Sequence, residues 1–214
     1  SDKVFGTQQE FREYAYKLFD ENLLYTPWNK LYLSEYILDN KLYFPHTFWD
    51  DFPFNLSVIR DIERVAVTAK RYYHFIRQRE ESETARYRAD MYEKREEEHS
   101  WMVEIYDHWN ISTPEIREFL ARRYIERLVG CVENVTNENC TLSKKEKHKA
   151  IRKMVNNSTA KSAVRTAKPN SSYMKIMLIP IKLRCVSLTY LEGKVISKVK
   201  SSNTELFAKL KAYR

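Results

Sequence analysis

FPHTFWDDFPFNL, residues 44–56, is the stretch on which the reading of this chain turns. Two adjacent acids, Asp50 and Asp51, stand among four phenylalanines and a tryptophan, with Pro45 and Pro53 on either side. Carboxylates avoid such company, because stripping their water costs several kcal/mol. Two readings are open. In one, the stretch starts a helix, Asp50 or Asp51 caps it, and Pro53 sits in the first turn, where no N–H bond is needed. In the other, the acids are there for chemistry. Capping accounts for one acid and leaves the second over.

Composition narrows the field. The chain has 214 residues, 43% hydrophobic and 14% aromatic, enough for one large domain or two small ones. Only three glycines occur, Gly6, Gly130 and Gly193. That excludes glycine-rich phosphate cradles of the GxxxxGK[ST] and GxGxxG kinds and argues against hairpin-rich all-β folds. Cys131, Cys140 and Cys185 form neither a disulfide framework nor a zinc pattern, which favours a reducing cytoplasm. The charge is uneven. From Thr141 onward there are 18 Lys and Arg against 3 acids, whereas residues 1–140 hold 19 against 26. An acidic body with a basic tail points to an anionic partner, either a membrane surface or nucleic acid.

The pattern predicts a mainly α chain with a few short strands. Thr7 and Glu10 make a capping box for a helix to about Leu24. A short helix covers Leu33–Asp39, and another runs from about Phe52 to Asp61. The β-branched and aromatic run 64–77 is the best strand candidate. Beyond the polar stretch 78–88, a long helix is expected from about Tyr87 to Trp109. A second starts at Thr113 with Pro114 in its first turn and reaches about Val135. A basic helix follows Thr141 or Ser143, and Pro169 ends that pattern. A last helical stretch covers roughly 172–212.

Two candidate sites lie outside the aromatic loop. Glu96 and His99 have the i, i+3 spacing of a di-iron bundle, but the chain lacks the second such pair, so a solvated helix face is the better reading. In the tail, a helical wheel places Met177, Ile181, Leu188, Leu191, Val195 and Val199 on one face, a stripe that Arg184 interrupts and that a kink at Pro180 would bend. Lys175, Lys182, Lys194, Lys198 and Lys200 would fall on the other. Such a helix either covers its own core or lies in a membrane interface. Nucleic acid is disfavoured, because the tail holds 4 Arg to 14 Lys and base readout favours Arg.

An ordered set of motifs spans residues 27–84: PWNKLY at 27–32, LYFP at 42–45, WDDFPFNL at 49–56 and RVAVTAKRYYHFIRQREESET at 64–84. Together they resemble the second half of a bacterial family 2 glycosyltransferase of the GT-A fold. No single piece is specific; the order and spacing carry the likeness. More loosely, the later helices and basic tail are similar to C-terminal extensions of cell-surface polysaccharide transferases. The resemblance implies three parts: 1–84 as the acceptor side of a GT-A type α/β catalytic domain, 85–140 as a helical extension and 141–214 as a basic amphipathic tail. It implies Asp51 as catalytic base with Asp50 beside it, and Trp28, Asn29, Lys30, Arg79, Ser82 and Thr84 around the substrates.

The chemistry asks for such a base, since an acceptor hydroxyl must lose its proton as it attacks the sugar carbon. The chain departs from the family at three points. The acidic pair is Asp-Asp rather than Glu-Asp. Arg79 stands where a metal-ligating His is frequent; an Arg there clamps a diphosphate but cannot bind a metal. The nucleotide-binding half and its Asp-x-Asp are missing: none of the eight aspartates makes that motif. The expectation is therefore a C-terminal part of a longer enzyme of the cell envelope, inactive alone. The whole enzyme would use a nucleotide-sugar donor, a glycan or lipid-linked acceptor and a divalent metal (Mg or Mn). No metal is expected in this chain. The place expected is the inner face of the cell membrane, reached peripherally through the basic tail. The alternative is a non-enzymatic basic helical module that binds a membrane surface or nucleic acid.

Overall fold

The computed structural model describes residues 2–47, 49–70, 72–73 and 87–202, with side chains through 199. The protein is mainly α-helical. In chain order the elements are β1 (Lys3–Phe5), α1 (Gln8–Asp20), α2 (Ser34–Asp39), α3 (Asp51–Arg60), β2 (Val65–Val67), α4 (Met91–Trp109), α5 (Pro114–Thr136), α6 (Lys144–Asn156), α7 (Ser158–Thr166), α8 (Ser172–Lys182) and α9 (Val186–Ser202). Among the described residues the only sheet is the antiparallel pair β1–β2, with Lys3 opposite Val67 and Phe5 opposite Val65. The strand expected over 64–77 is thus confined to Val65–Val67 as far as the described residues reach.

The chain divides into two compact units: Ser1–Glu80 with Ser100–Thr113, and Glu81–His99 with Pro114–Arg214. Helix α4 is continuous, and its two halves belong to different units.

The first unit is built on aromatic rings. The buried stripe of α1, Phe11, Ala15, Leu18 and Phe19, follows the 3.6-residue period. Phe11 meets Phe5 and Trp109 edge-on, with centroids 5.7 and 6.2 Å apart. Phe52 of α3 stacks on Tyr25 at 4.8 Å. The last carbonyls of α3 find side-chain donors: Trp109 Nε1 and Arg12 Nη2 both donate to Arg60 O, at 2.7 and 3.0 Å, and Gln8 Nε2 donates to Asp61 O at 3.1 Å. His108 Nε2 lies 2.8 Å from Asp61 Oδ1 and completes this clasp.

The second unit packs α6, α7, α8 and α9 around α5. Ile125, Leu128, Val132, Ile151, Met177 and Ile181 are its innermost side chains. Asn157 is its polar node. Its Nδ2 donates to the hydroxyls of Tyr92 and Tyr124, each at 2.6 Å, and its Oδ1 accepts the Ala160 N–H at 2.6 Å, capping α7. Ser143 and Glu146 form the reciprocal capping box of α6. At α1 the box is only half as expected. Thr7 Oγ1 accepts from Glu10 N, but the Glu10 carboxylate reaches back to Gly6 N rather than Thr7 N.

With so few glycines, helices end on other residues in the left-handed region. Asn22, Lys41, Asn110 and Arg184 have φ of 59°, 50°, 53° and 53°. Each closes a Schellman pair; after Arg184, Cys185 N bonds Pro180 O at 2.9 Å while Arg184 N bonds Ile181 O at 3.0 Å. Two expectations change as a result. Helix α1 stops at Asp20 instead of about Leu24, because Asn22 turns the chain. Of the helical stretch expected over roughly 172–212, residues 203–212 lie outside the described residues, and the rest is two helices, α8 and α9, broken at Arg184.

Candidate active site

Helix α3 presents the acidic pair, but not as caps. Trp49 is left-handed with φ 60°, and Asp50 already has helical angles, φ −53° and ψ −25°. A capping side chain needs an extended backbone to reach the N–H groups ahead of it, so Asp50 makes no side-chain cap bond. The helix manages without one. Phe52 N bonds Trp49 O at 3.1 Å, Phe54 N bonds Asp50 O at 3.1 Å, and Pro53 between them has no N–H to satisfy. The capping reading of Asp50 and Asp51 is thereby corrected. Among the described residues no hydrogen bond or ion pair engages either carboxylate.

Asp51 is half-buried, and its carboxyl titrates above the usual carboxylate range. Burial is the main cause and the Asp50 charge adds to it, while Lys30 pulls the other way. Its backbone is pinned from below. Asn55, fully buried one turn along α3, donates from Nδ2 to Asp51 O at 2.9 Å and accepts the Tyr32 hydroxyl at Oδ1, 2.6 Å away. Burial, with the Asp51 charge second, pushes the Tyr32 hydroxyl up to about 12, so it stays protonated and donates. Phe54 flanks the site, stacked on Phe44 with centroids 4.0 Å apart and edge-on to Tyr32 at 5.8 Å.

The PWNKLY segment supplies the neighbouring wall. A turn closes it, Lys30 N to Pro27 O at 3.1 Å. Lys30 points its ammonium at three oxygens, Leu23 O and Thr26 O at 2.5 Å and Asn29 Oδ1 at 2.7 Å. Burial lowers its pKa to about 8, opposed by the charge of Asp51. Asn29 Nδ2 also donates inward, to Leu23 O at 3.3 Å. Asn29 and Lys30 therefore tie loop 23–30 together, and Lys30 adds positive charge at Asp51. Trp28 remains 42% exposed and stacks on Tyr73 with centroids 5.1 Å apart. Arg79, Ser82 and Thr84, expected around the substrates, lie outside the described residues.

Sequence reasoning missed Tyr32 and Asn55 as parts of the site. A signal existed: Asn55 interrupts the apolar run FPFNLSVI, and a polar side chain inside such a run needs partners. Elsewhere, Glu96 and His99 both engage Tyr124, Glu96 by accepting its hydroxyl at 2.6 Å and His99 by ring contact at 4.7 Å. Among the described residues no three His, Cys, Asp or Glu side chains converge as a metal site.

A half-buried carboxylate whose ionised form is disfavoured, held on a braced backbone, is suited to take a proton from a hydroxyl brought to it. Comparisons with protein-family models, with curated proteins and with solved structures each return no match.

Proposed function

We propose that this chain carries the acceptor side and the catalytic base of a family 2 glycosyltransferase of the GT-A fold. In this reading Asp51 accepts the acceptor hydroxyl's proton as that oxygen attacks the anomeric carbon. The bond from that carbon to the nucleoside diphosphate breaks, and the diphosphate leaves with the bonding electrons. One base and one displacement give inversion, as the resemblance implies. Trp28 offers a flat apolar face for a sugar ring. Asp50 keeps Asp51 basic, and Lys30 limits how far. The acceptor class is a cell-surface glycan or a lipid-linked sugar, and the place is the inner membrane face.

The observation that carries the proposal is that the two acids of α3 are not spent on capping. They stand half-buried over a purpose-braced turn, which a purely structural helix start does not require. The donor's metal would belong to the nucleotide-binding half, and no step above is routed through it.

The test uses the product of the whole gene, offered a panel of nucleotide sugars with lipid-extract and oligosaccharide acceptors. Transfer is expected, and Asp51→Asn should lower it by roughly 10²–10⁴ with donor binding unchanged. Turnover that survives the substitution rules out Asp51 as the base. No transfer from any donor rules out the enzyme and favours the non-enzymatic helical module.

A further inference from the structure

We propose that helices α8 and α9 form a seat for an anionic lipid bilayer, entered by two apolar triads. The inference rests on the second unit alone and holds whether or not sugar transfer is the activity. Helix α8 exposes Ile176 and Ile179, with Leu183 at its C-cap; helix α9 exposes Leu188, Leu191 and Val195. Both sets have the spacing i, i+3, i+7, one stripe of a helix. They are between 38 and 68% exposed, unlike the opposite faces, where Met177, Ile181 and Thr189 are at 1% or less.

This arrangement corrects the sequence expectation. Met177 and Ile181 were placed on the same face as Leu188, Leu191 and Val195. The break at Arg184 separates the two helices, so Met177 and Ile181 turn into the core while a second set of α8 residues turns outward.

Charge decides the occupant. Lys175 and Lys182 border the α8 triad and Lys194 borders the α9 triad, all exposed, with exposed Arg184 between the helices. Within 172–202 the single acid is Glu192, which is half-buried, and burial raises its carboxyl above the ordinary range. Within these two helices the exposed charge is therefore positive. A second copy of the same face would be repelled. Nucleic acid would use the lysines but leave six apolar side chains in water. A bilayer with anionic headgroups satisfies both: apolar residues enter the acyl boundary and lysines lie at the phosphates.

The test is flotation of the full chain with phosphatidylcholine vesicles, with and without phosphatidylglycerol. Binding is expected only with the anionic lipid and should fall with salt. Replacing Leu188, Leu191 and Val195 by Ser should weaken it roughly tenfold or more. Replacing Lys175 and Lys194 by Gln should weaken it roughly 25-fold, about fivefold for each charge. Circular dichroism checks that these surface variants fold. A second readout needs no change in the triads. Cys185 is exposed while Cys131 and Cys140 are buried, so a polarity-sensitive dye attached at Cys185 should report a less polar setting on vesicle addition. No binding overturns the proposal. So does binding that ignores the triple Ser variant, binding to single-stranded RNA that is equally tight and equally indifferent to it, or a dimer that this variant dissolves.

Discussion

Gly130 and Gly193 make a matched pair for testing how α9 is seated. Both lie inside helices of the second unit, Gly130 in α5 and Gly193 in α9. Replacing a helical Gly by Ala is worth ~0.8–1.0 kcal/mol of helix propensity in either place. Their surroundings differ. A β-carbon on Gly130 would meet nothing within 4 Å. On Gly193 it would lie 2.8 Å from Thr136 Oγ1 and 2.8 Å from Val132 Cγ1. Thr136 cannot easily swing aside, because its hydroxyl bonds Val132 O at 2.9 Å and Ser197 Oγ at 3.1 Å. Overpacking of this kind costs ~1–3 kcal/mol. Gly130→Ala should therefore stabilise the protein by about 1 kcal/mol, and Gly193→Ala should leave it unchanged or destabilise it by up to about 2 kcal/mol. Urea unfolding followed by far-ultraviolet circular dichroism measures both. Adding Val132→Ala to Gly193→Ala removes one of the two clashing atoms, so the pair should show favourable coupling. If Gly193→Ala stabilises as much as Gly130→Ala, α9 does not cross α5 this closely, and the outward aim of Leu188, Leu191 and Val195 fails with it.

Other outcomes follow from single features. In the whole-gene enzyme, Asp50→Asn should move the acid limb of kcat/KM to lower pH, and Lys30→Met should move it higher, since one removes a like charge from Asp51 and the other an opposite one. Because the folded state raises the Asp51 pKa, its contribution to stability is full below the unfolded value near ~4 and lost as pH rises through the folded value. Asp51→Asn should accordingly gain on the wild type in thermal stability between pH ~4 and neutrality. Asn157→Ala removes the α7 cap and strips a donor from Tyr92 and Tyr124; a loss of about 2–3 kcal/mol is expected in urea unfolding. Arg184→Gly relieves a left-handed non-glycine residue, and the gain, net of the added freedom of the unfolded chain, should be ~0.5–1 kcal/mol.

The parts of this fold legible in the sequence are those whose signals are local. Thr7 and Pro114 mark helix starts that the structure uses, and of the two caps open for the basic helix, Thr141 and Ser143, it uses Ser143. The break between α8 and α9 was legible only in part: Arg184 interrupts the apolar stripe and Pro180 is a kink residue, but Arg184 is a type that carries no stop signal, so the left-handed turn there was not readable. Helix α7 was missed for a related reason: Asn157 ends one helix and caps the next with no loop between. At the site, the position of the acidic pair on α3 was readable. Its freedom from capping was not, since that depends on the backbone angles of Trp49 and Asp50. The inward turn of Asn29 and Lys30 was equally out of reach, because their partners are backbone carbonyls, which every residue has.

The division of the chain has an optical consequence. All four tryptophans, Trp28, Trp49, Trp101 and Trp109, belong to the first unit, and the second has none. Indole emission therefore reports one half of the protein, while the helical ellipticity comes from both. Comparing the two signals through a single melt asks whether the halves lose order together or in sequence. Helix α4 sets what is at stake, because its first half counts with one unit and its second with the other. Coincident curves would make that helix a conduit of cooperativity; separated curves would make residues 99–100 the place where one segment frays while the other holds.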